Sequence, residues 1–358
     1  MGKEKSQNSS VSLKKQIIYI VVFIALIAIT MYVIVSRNDD LTLAGFIKYA
    51  MGMDIPWLIA GIGCVFLFIL FEGLSIRYIV GKLGYKCGFY NSYVYSAADI
   101  YFSALTPSAT GGQPASAYYM VKDKIPMSVT TITLVLNIMQ YTLSIVVIAG
   151  MCFAMRPEYF FEFDKWSRFL IILGIVFQLG FALLFACVIF FPNIIKKIGV
   201  FFVNILAKIH LVKNREKKLS DLDKMIEDYR RCAQILKDTP IIIMVSFIFN
   251  VLQRVSIICV TYCVYRASGQ TVSSFFDIII MQGYVLIGSN SLPVPGAVGI
   301  ADYLFLDGFK SLMADPVHAE LMSRGLSFYI CIIGCGAITL IHHAINVVRE
   351  NKTVKEGS

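Results

Sequence analysis

Three ionisable side chains stand inside stretches that are otherwise apolar: Glu72 in the run 56–80, Asp99 in 92–120 and Arg254 in 240–266. An ionised group at membrane depth costs roughly 2.5–3.5 kcal/mol on insertion scales, so it turns inward toward a partner or a wet interior. Glu72 and Arg77 are five residues apart, off a common helix face, so each needs another partner. Arg254, beside Gln253 and Asn250, is expected near Glu72 or Asp99, or against a lipid phosphate. Asp99 has Tyr93, Tyr95 and Tyr101 around it, with the hydroxyls of Ser103 and Thr106 close in sequence. Asp277, Asp302 and Asp307 are weaker candidates, because Asp302 and Asp307 could equally sit solvated at the outer interface.

Two Pro/Gly-rich stretches interrupt the apolar sequence: T-P-S-A-T-G-G-Q-P-A at Thr106–Ala115 and L-P-V-P-G-A-V-G-I-A at Leu292–Ala301. Broken backbone in lipid leaves N–H and C=O groups without partners, so it is tolerated only where protein buries it or where it lines a wet cavity. After Pro107, Gly111 and Gly112 let the chain turn and approach a ligand closely. The half-helix from about Gln113 then points its N-terminal N–H groups into the break, an arrangement suited to phosphate. Pro293, Gly296 and Gly299 could do the same from the other face. One such break is as readily a plain helix interruption, whereas two in opposite orientation favour a site. The expected binding set is therefore Glu72, Asp99, Arg254, Thr106, Pro107, Gly111, Gly112, Gln113, Pro293, Gly296 and Gly299.

Composition fixes the class that must position these residues. Of 358 residues, 57% are hydrophobic and only 15% charged, with mean hydropathy +0.71. A soluble domain would carry roughly 25% charged residues. The chain is read as an all-α polytopic membrane protein, and its net charge of +9 as topology and anionic lipid, not nucleic acid. The nine cysteines form no CxxC pair and lie mostly in apolar runs, so neither a disulfide framework nor a metal site is expected. No catalytic constellation and no cofactor motif is recognisable.

Apolar runs at about 16–35, 56–80, 127–155, 168–191, 240–266 and 324–348 are each long enough to span. Two more, 92–120 and 273–310, are split by the Pro/Gly motifs. Each split run is either a re-entrant hairpin or a pair of spans, and both preserve sidedness. With the N-terminus cytoplasmic, inner segments hold 22 lysines and arginines and outer segments 8. That bias has the sign of the positive-inside rule and puts both termini in the cytoplasm of a cell-membrane protein. The tails are 1–15 and 349–358 around an integral domain at 16–348. Its halves, about 16–155 and 168–348, each read span, span, broken hairpin, span. Three crossings per half make the second inverted relative to the first, as in many secondary transporters. A loop at 192–239 carries a charged helix, Lys224–Lys237, introduced by Ser220-Asp221-Leu222-Asp223.

P-S-A-T-G-G-Q-P-A-S-A-Y followed far downstream by L-P-V-P-G-A-V-G-I-A-D resembles the paired signatures of the lysylphosphatidylglycerol synthase transmembrane-region family. That family includes the flippase domain of the multiple peptide resistance factor. The resemblance covers about 15–350 and carries over Pro107, Gly111, Gly112, Gln113, Pro114, Pro293, Gly296 and Gly299 as motif positions. It implies translocation of aminoacylated phosphatidylglycerol or a related lipid headgroup. Such movement lowers negative surface charge and blunts cationic antimicrobial peptides. Full-length relatives add a soluble aminoacyltransferase domain. This chain ends at Ser358, soon after its last span, and is expected to be stand-alone, with membrane phospholipid and a separately encoded synthase as partners. The rival readings are a phosphatidylglycerol lysyltransferase, alone or with that synthase, and a membrane scaffold that transports nothing.

Overall fold

The computed structural model describes residues 43–106, 110–191, 215–290 and 299–356, together with Lys197 and Val200. The expected first span at 16–35, most of the loop before residue 215, and Pro107, Pro293 and Gly296 lie outside the described residues. The chain divides into Met1–Lys48 and Tyr49–Ser358. Of the first unit only the beginning of helix α1 (Leu43–Met51) is described, and all that follows concerns the second.

Every regular element among the described residues is helical. In order they are α2 (Ile55–Lys82), α3 (Phe89–Leu105), α4 (Gly112–Lys122), α5 (Met127–Met155), α6 (Pro157–Glu162), α7 (Lys165–Phe190), α8 (Arg215–Asp238), α9 (Pro240–Ala267), α10 (Phe275–Ser289), α11 (Ile300–Phe309), α12 (Pro316–Arg324) and α13 (Cys331–Glu356). A single π-helical turn, Gly325–Ile330, joins the last two. Pro56, Pro157, Pro240 and Pro316 each stand in a first helical turn, where a missing N–H breaks no bond.

Helices α2, α5, α7 and α9 have 28, 29, 26 and 28 residues. At ~1.5 Å per residue each outreaches the ~30 Å hydrocarbon core. With the continuous Pro316–Asn346 stretch they make five candidate spans among the described residues. The protein is an all-α polytopic membrane protein. Helices α4 and α11 have only 11 and 10 residues, about half the distance needed, so neither crosses. The two split regions are accordingly broken hairpins rather than paired spans.

Packing interleaves the halves. Helix α9 runs along α2, while α13 packs on the first hairpin through α3 and α5 packs on the second through α10. Each broken hairpin thus rests on the last span of the opposite half.

The apolar interior is not continuous. Two buried clusters share α2, α3, α5 and α9, and a polar layer separates them. On α2 the gap between Ile69 and Ile76 holds Glu72 and Ser75; on α5 the gap between Met139 and Ile145 holds Gln140 and Tyr141. On α9 the gap between Ile242 and Ile258 holds Ser246, Asn250, Gln253 and Arg254. Asn250 knits three helices: its Nδ2 lies 3.1 Å from Ser75 Oγ, 3.1 Å from Asn137 Oδ1 and 3.3 Å from Gln140 Oε1. Ser75 in turn donates to Asn137 at 3.0 Å, and Gln140 donates to Ser246 Oγ at 2.7 Å. Lipid offers no hydrophobic drive between helices, so such bonds and close packing hold them together.

Two boundaries differ from those read in the sequence. The loop helix begins at Arg215, with Ser220 in its interior, because Arg215-Glu216-Lys217-Lys218-Leu219 are themselves good helix formers. The last span begins at Pro316 rather than near Arg324, with Asp315 accepting the His318 N–H at 3.2 Å as its cap.

Asn250→Leu should strand the amides and hydroxyl that surround it and destabilise the protein by about 1–2 kcal/mol. Thermal unfolding followed by size exclusion in detergent should show a lower midpoint. Leu183→Ala, on the exposed face of α7, should leave that midpoint in place.

Candidate functional site

The polar layer brings Glu72, Asp99 and Arg254 together. Glu72 is residue 18 of 28 in α2 and Arg254 residue 15 of 28 in α9, so both stand near mid-helix. Their exposures are 5% and 6%, and that of Asp99 on α3 is 6%. Glu72 Oε2 accepts from Ser96 Oγ at 3.1 Å and from Gln253 Nε2 at 2.8 Å. Asp99 accepts from Ser103 Oγ at 3.2 Å and from Gln113 Nε2 at 2.5 Å. The two carboxyls are within hydrogen-bonding reach of each other, and the charge of Arg254 acts on both.

Arg254 is held differently. Its guanidinium carbon stands 4.1 Å from the centre of the Tyr141 ring and 4.9 Å from that of Phe68. Its Nε is buried with no hydrogen-bond partner, and Arg254 forms no ion pair among the described residues. Gln113 Oε1 and Ser116 Oγ, on the neighbouring half-helix α4, are likewise buried without partners. A guanidinium flanked by two rings, with a buried and unpartnered Nε and two carboxyls nearby, is suited to an acceptor-rich anion.

The first break is closed by its own residues. Thr106, pushed into extended geometry (φ −111°, ψ 143°) ahead of Pro107, ends α3. Its hydroxyl donates to Phe102 C=O at 2.7 Å and accepts the Gly111 N–H at 2.8 Å, so two main-chain groups freed by the break are satisfied. Gly112 then lets α4 begin against α3, for a Cβ there would overlap Asp99 Oδ1 and Ser103 Oγ. Pro114 lies in the first turn of α4, where it costs no bond.

The carboxyl of Asp99 lies against the N-terminal end of α4, the end at which the sequence reading places phosphate. An anion is stabilised there by the helix dipole, and Asp99 supplies it from within the chain. The second break repeats the device. Gly299, at φ +84° in the left-handed region, donates its N–H to Asp302 Oδ2 at 2.8 Å, so α11 is capped by its own acid.

Sequence reasoning left out a second charged cluster. Arg324 Nε contacts Asp302 Oδ1 and lies 2.8 Å from Glu320 Oε1, and all three side chains are largely buried. Asp302, for which a solvated place at the outer interface was an equal expectation, is part of this buried cluster. The i,i+4 spacing of Glu320 and Arg324 just before an apolar run was the available signal. Asp307 is buried too, accepting the Asp164 N–H at 2.8 Å and pairing with Lys310 at 2.7 Å. Asp277 serves a local capping box with Ser274. Tyr141 and Phe68 carried no sequence signal, since an aromatic residue in a span looks like packing.

Gly112→Ala should force Asp99 and Ser103 apart from α4 and destabilise by about 1–3 kcal/mol. Gly150→Ala on α5, where a new Cβ meets nothing within 4 Å, should be neutral or stabilising. Paired thermal midpoints in detergent check both.

Comparison with curated proteins found no match. Comparison with known families matched residues 16–335 to the family described as the lysylphosphatidylglycerol synthase TM region, which is about nine-tenths of this chain. With its broken hairpins and mid-helix polar layer, the chain belongs to the lysylphosphatidylglycerol synthase transmembrane-region family.

Proposed function

We propose that the protein translocates a phospholipid headgroup between leaflets, with Arg254 binding the phosphate and the Glu72–Asp99 pair binding a cationic group beside it. The observation that carries this reading is the guanidinium of Arg254, buried near mid-helix with Nε unpartnered and no ion pair among the described residues. A phosphate oxygen is the acceptor in a bilayer that matches such a donor set. Two neighbouring carboxyls a short distance away suit an ammonium, so aminoacylated phosphatidylglycerol or another amine-bearing phospholipid is the preferred cargo. Acyl chains would stay in lipid while the headgroup passes along the polar layer between α2, α3, α5 and α9. The unpartnered Gln113 Oε1 and Ser116 Oγ offer further contacts to the passing headgroup.

The family supports a link to the synthesis or movement of lysylphosphatidylglycerol, and of the two this geometry favours movement. The charge bias of the sequence supports a cell-membrane location with both termini cytoplasmic. A separately encoded synthase would supply the aminoacylated lipid. Moving that lipid to the outer leaflet would lower surface charge and weaken cationic peptides.

The deciding experiment is headgroup movement in reconstituted vesicles, using fluorescent phosphatidylglycerol, lysylphosphatidylglycerol, phosphatidylethanolamine and phosphatidylcholine. The protein should accelerate the amine-bearing lipids, lysylphosphatidylglycerol and phosphatidylethanolamine, over protein-free vesicles. Arg254→Gln should lower that rate by at least ~10-fold, the loss of one charge-assisted contact, and Arg254→Lys should restore part of it. Rates equal to empty vesicles for every headgroup would sink the proposal.

A further inference from the structure

Tyr141 touches two things at once. The face of its ring carries the Arg254 guanidinium at 4.1 Å, the nearer of the two rings that flank it. The hydroxyl at the edge of the same ring donates to Asn290 Oδ1 at 3.2 Å. Asn290 is the C-cap of α10, the first arm of the second broken hairpin. Its own Nδ2 donates back to Leu286 C=O at 2.8 Å, so the side chain is tied into the last turn of that arm. Tyr141 itself is residue 15 of 29 in α5, the long span against which α10 packs. A continuous line of contact therefore runs from the cation of the site, through one aromatic side chain, to the helix end at the second break.

We infer that Tyr141 is a positioning residue that couples occupancy of Arg254 to the end of α10. The inference rests on the reading of Arg254 as a phosphate-binding group. A charge-assisted bond to phosphate is stronger than the contact of a cation with a ring. An anion that engages the guanidinium draws its charge away from the Tyr141 face and weakens the hold on that ring. The ring is then freer to move, and its hydroxyl carries Asn290 and the last turn of α10 with it. Headgroup binding at the polar layer is thereby felt at the second hairpin, in the half of the chain that does not supply Glu72 or Asp99. Without such a link a bound headgroup would have no differential interaction with two arrangements of that hairpin and could not bias them.

Tyr141→Phe tests this with the ring retained and only the hydroxyl removed. Full-length protein in bilayers with and without phosphatidylglycerol is followed by hydrogen exchange at Leu286–Asn290, and in vesicles by headgroup movement. In the parent protein, phosphatidylglycerol should change exchange at those amides. In Tyr141→Phe that lipid-dependent change should vanish, and the maximal translocation rate should fall ~5-fold, as for one lost neutral hydrogen bond. The lipid fraction giving half-maximal rate should stay where it was, which a merely structural role would not ensure. Asn290→Leu should reproduce the phenotype, and the double variant should lose nothing further. A Tyr141→Phe protein with the parent's exchange response, or additive losses in the double variant, overturns the coupling while leaving translocation intact. Parent vesicles no faster than empty ones remove translocation instead, and the exchange response then decides the coupling by itself.

Discussion

A positive charge stands in the middle of a membrane helix with its counter-charges close by but not bonded to it, and the rest of the structure is arranged around that separation. Opposite charges that are close but not in contact still attract in the low effective dielectric of a protein interior. That attraction offsets part of the cost of placing an ionised side chain at the bilayer centre. Arg254 can therefore remain charged near Glu72 and Asp99 without a direct pair. Phe68 and Tyr141 cover the faces of the guanidinium. Gln253 and Ser96 hold Glu72, while Gln113 and Ser103 hold Asp99. Every carboxylate bond in this set is made to a neutral donor, which leaves the arginine available.

The second cluster has the same inventory, two acids and one base, and the opposite outcome. Glu320 and Arg324 are four residues apart on α12, so helix geometry alone brings them into contact, and Asp302 closes the group from α11. Its pairing is enforced locally. In the first cluster the acids come from α2 and α3 and the base from α9, so only tertiary packing sets their distance. The closed cluster fastens the second hairpin to the last span. The open one can respond to whatever changes the spacing of α2, α3 and α9. Composition is the same in both, and chain topology decides which cluster is paired and which is not.

Much of this was legible in the sequence, and the failures have physical causes. The limits 127–155 and 240–266 were readable because long apolar runs are bounded by proline or by charge, and α5 and α9 follow them almost residue for residue. Glu72, Asp99 and Arg254 stood out because ionised groups in such runs are expensive. Tyr141 and Phe68 were invisible, since an aromatic ring beside a cation and one in plain packing have the same one-letter code. The start of α12 at Pro316 was missed because Glu320 and Arg324 dilute hydropathy, although in space they neutralise each other. The place of Asp99 against the α4 N-terminus was not legible, because only the fold-back of α4 onto α3 brings the two together.

An unpaired base also has a mechanical consequence. At an effective dielectric of about 20, drawing a contact pair from ~3 to ~4 Å costs ~1.4 kcal/mol, and each further ångström costs less. The steep part of the Coulomb curve lies at contact, so a direct Arg254 pair would pin α9 to α2 and α3. Held at longer range, the same charges attract less strongly and less steeply, so the helices are freer to shift by an ångström. The two halves contribute opposite signs to the site: the acids from the first, the base from the second. Any displacement of one half against the other must alter the field in the polar layer, and any zwitterion bridging that layer must alter the force between the halves. Polar backbone satisfied locally, by Thr106 at one break and Asp302 at the other, lets the hairpins follow such a shift without exposing main-chain groups to lipid.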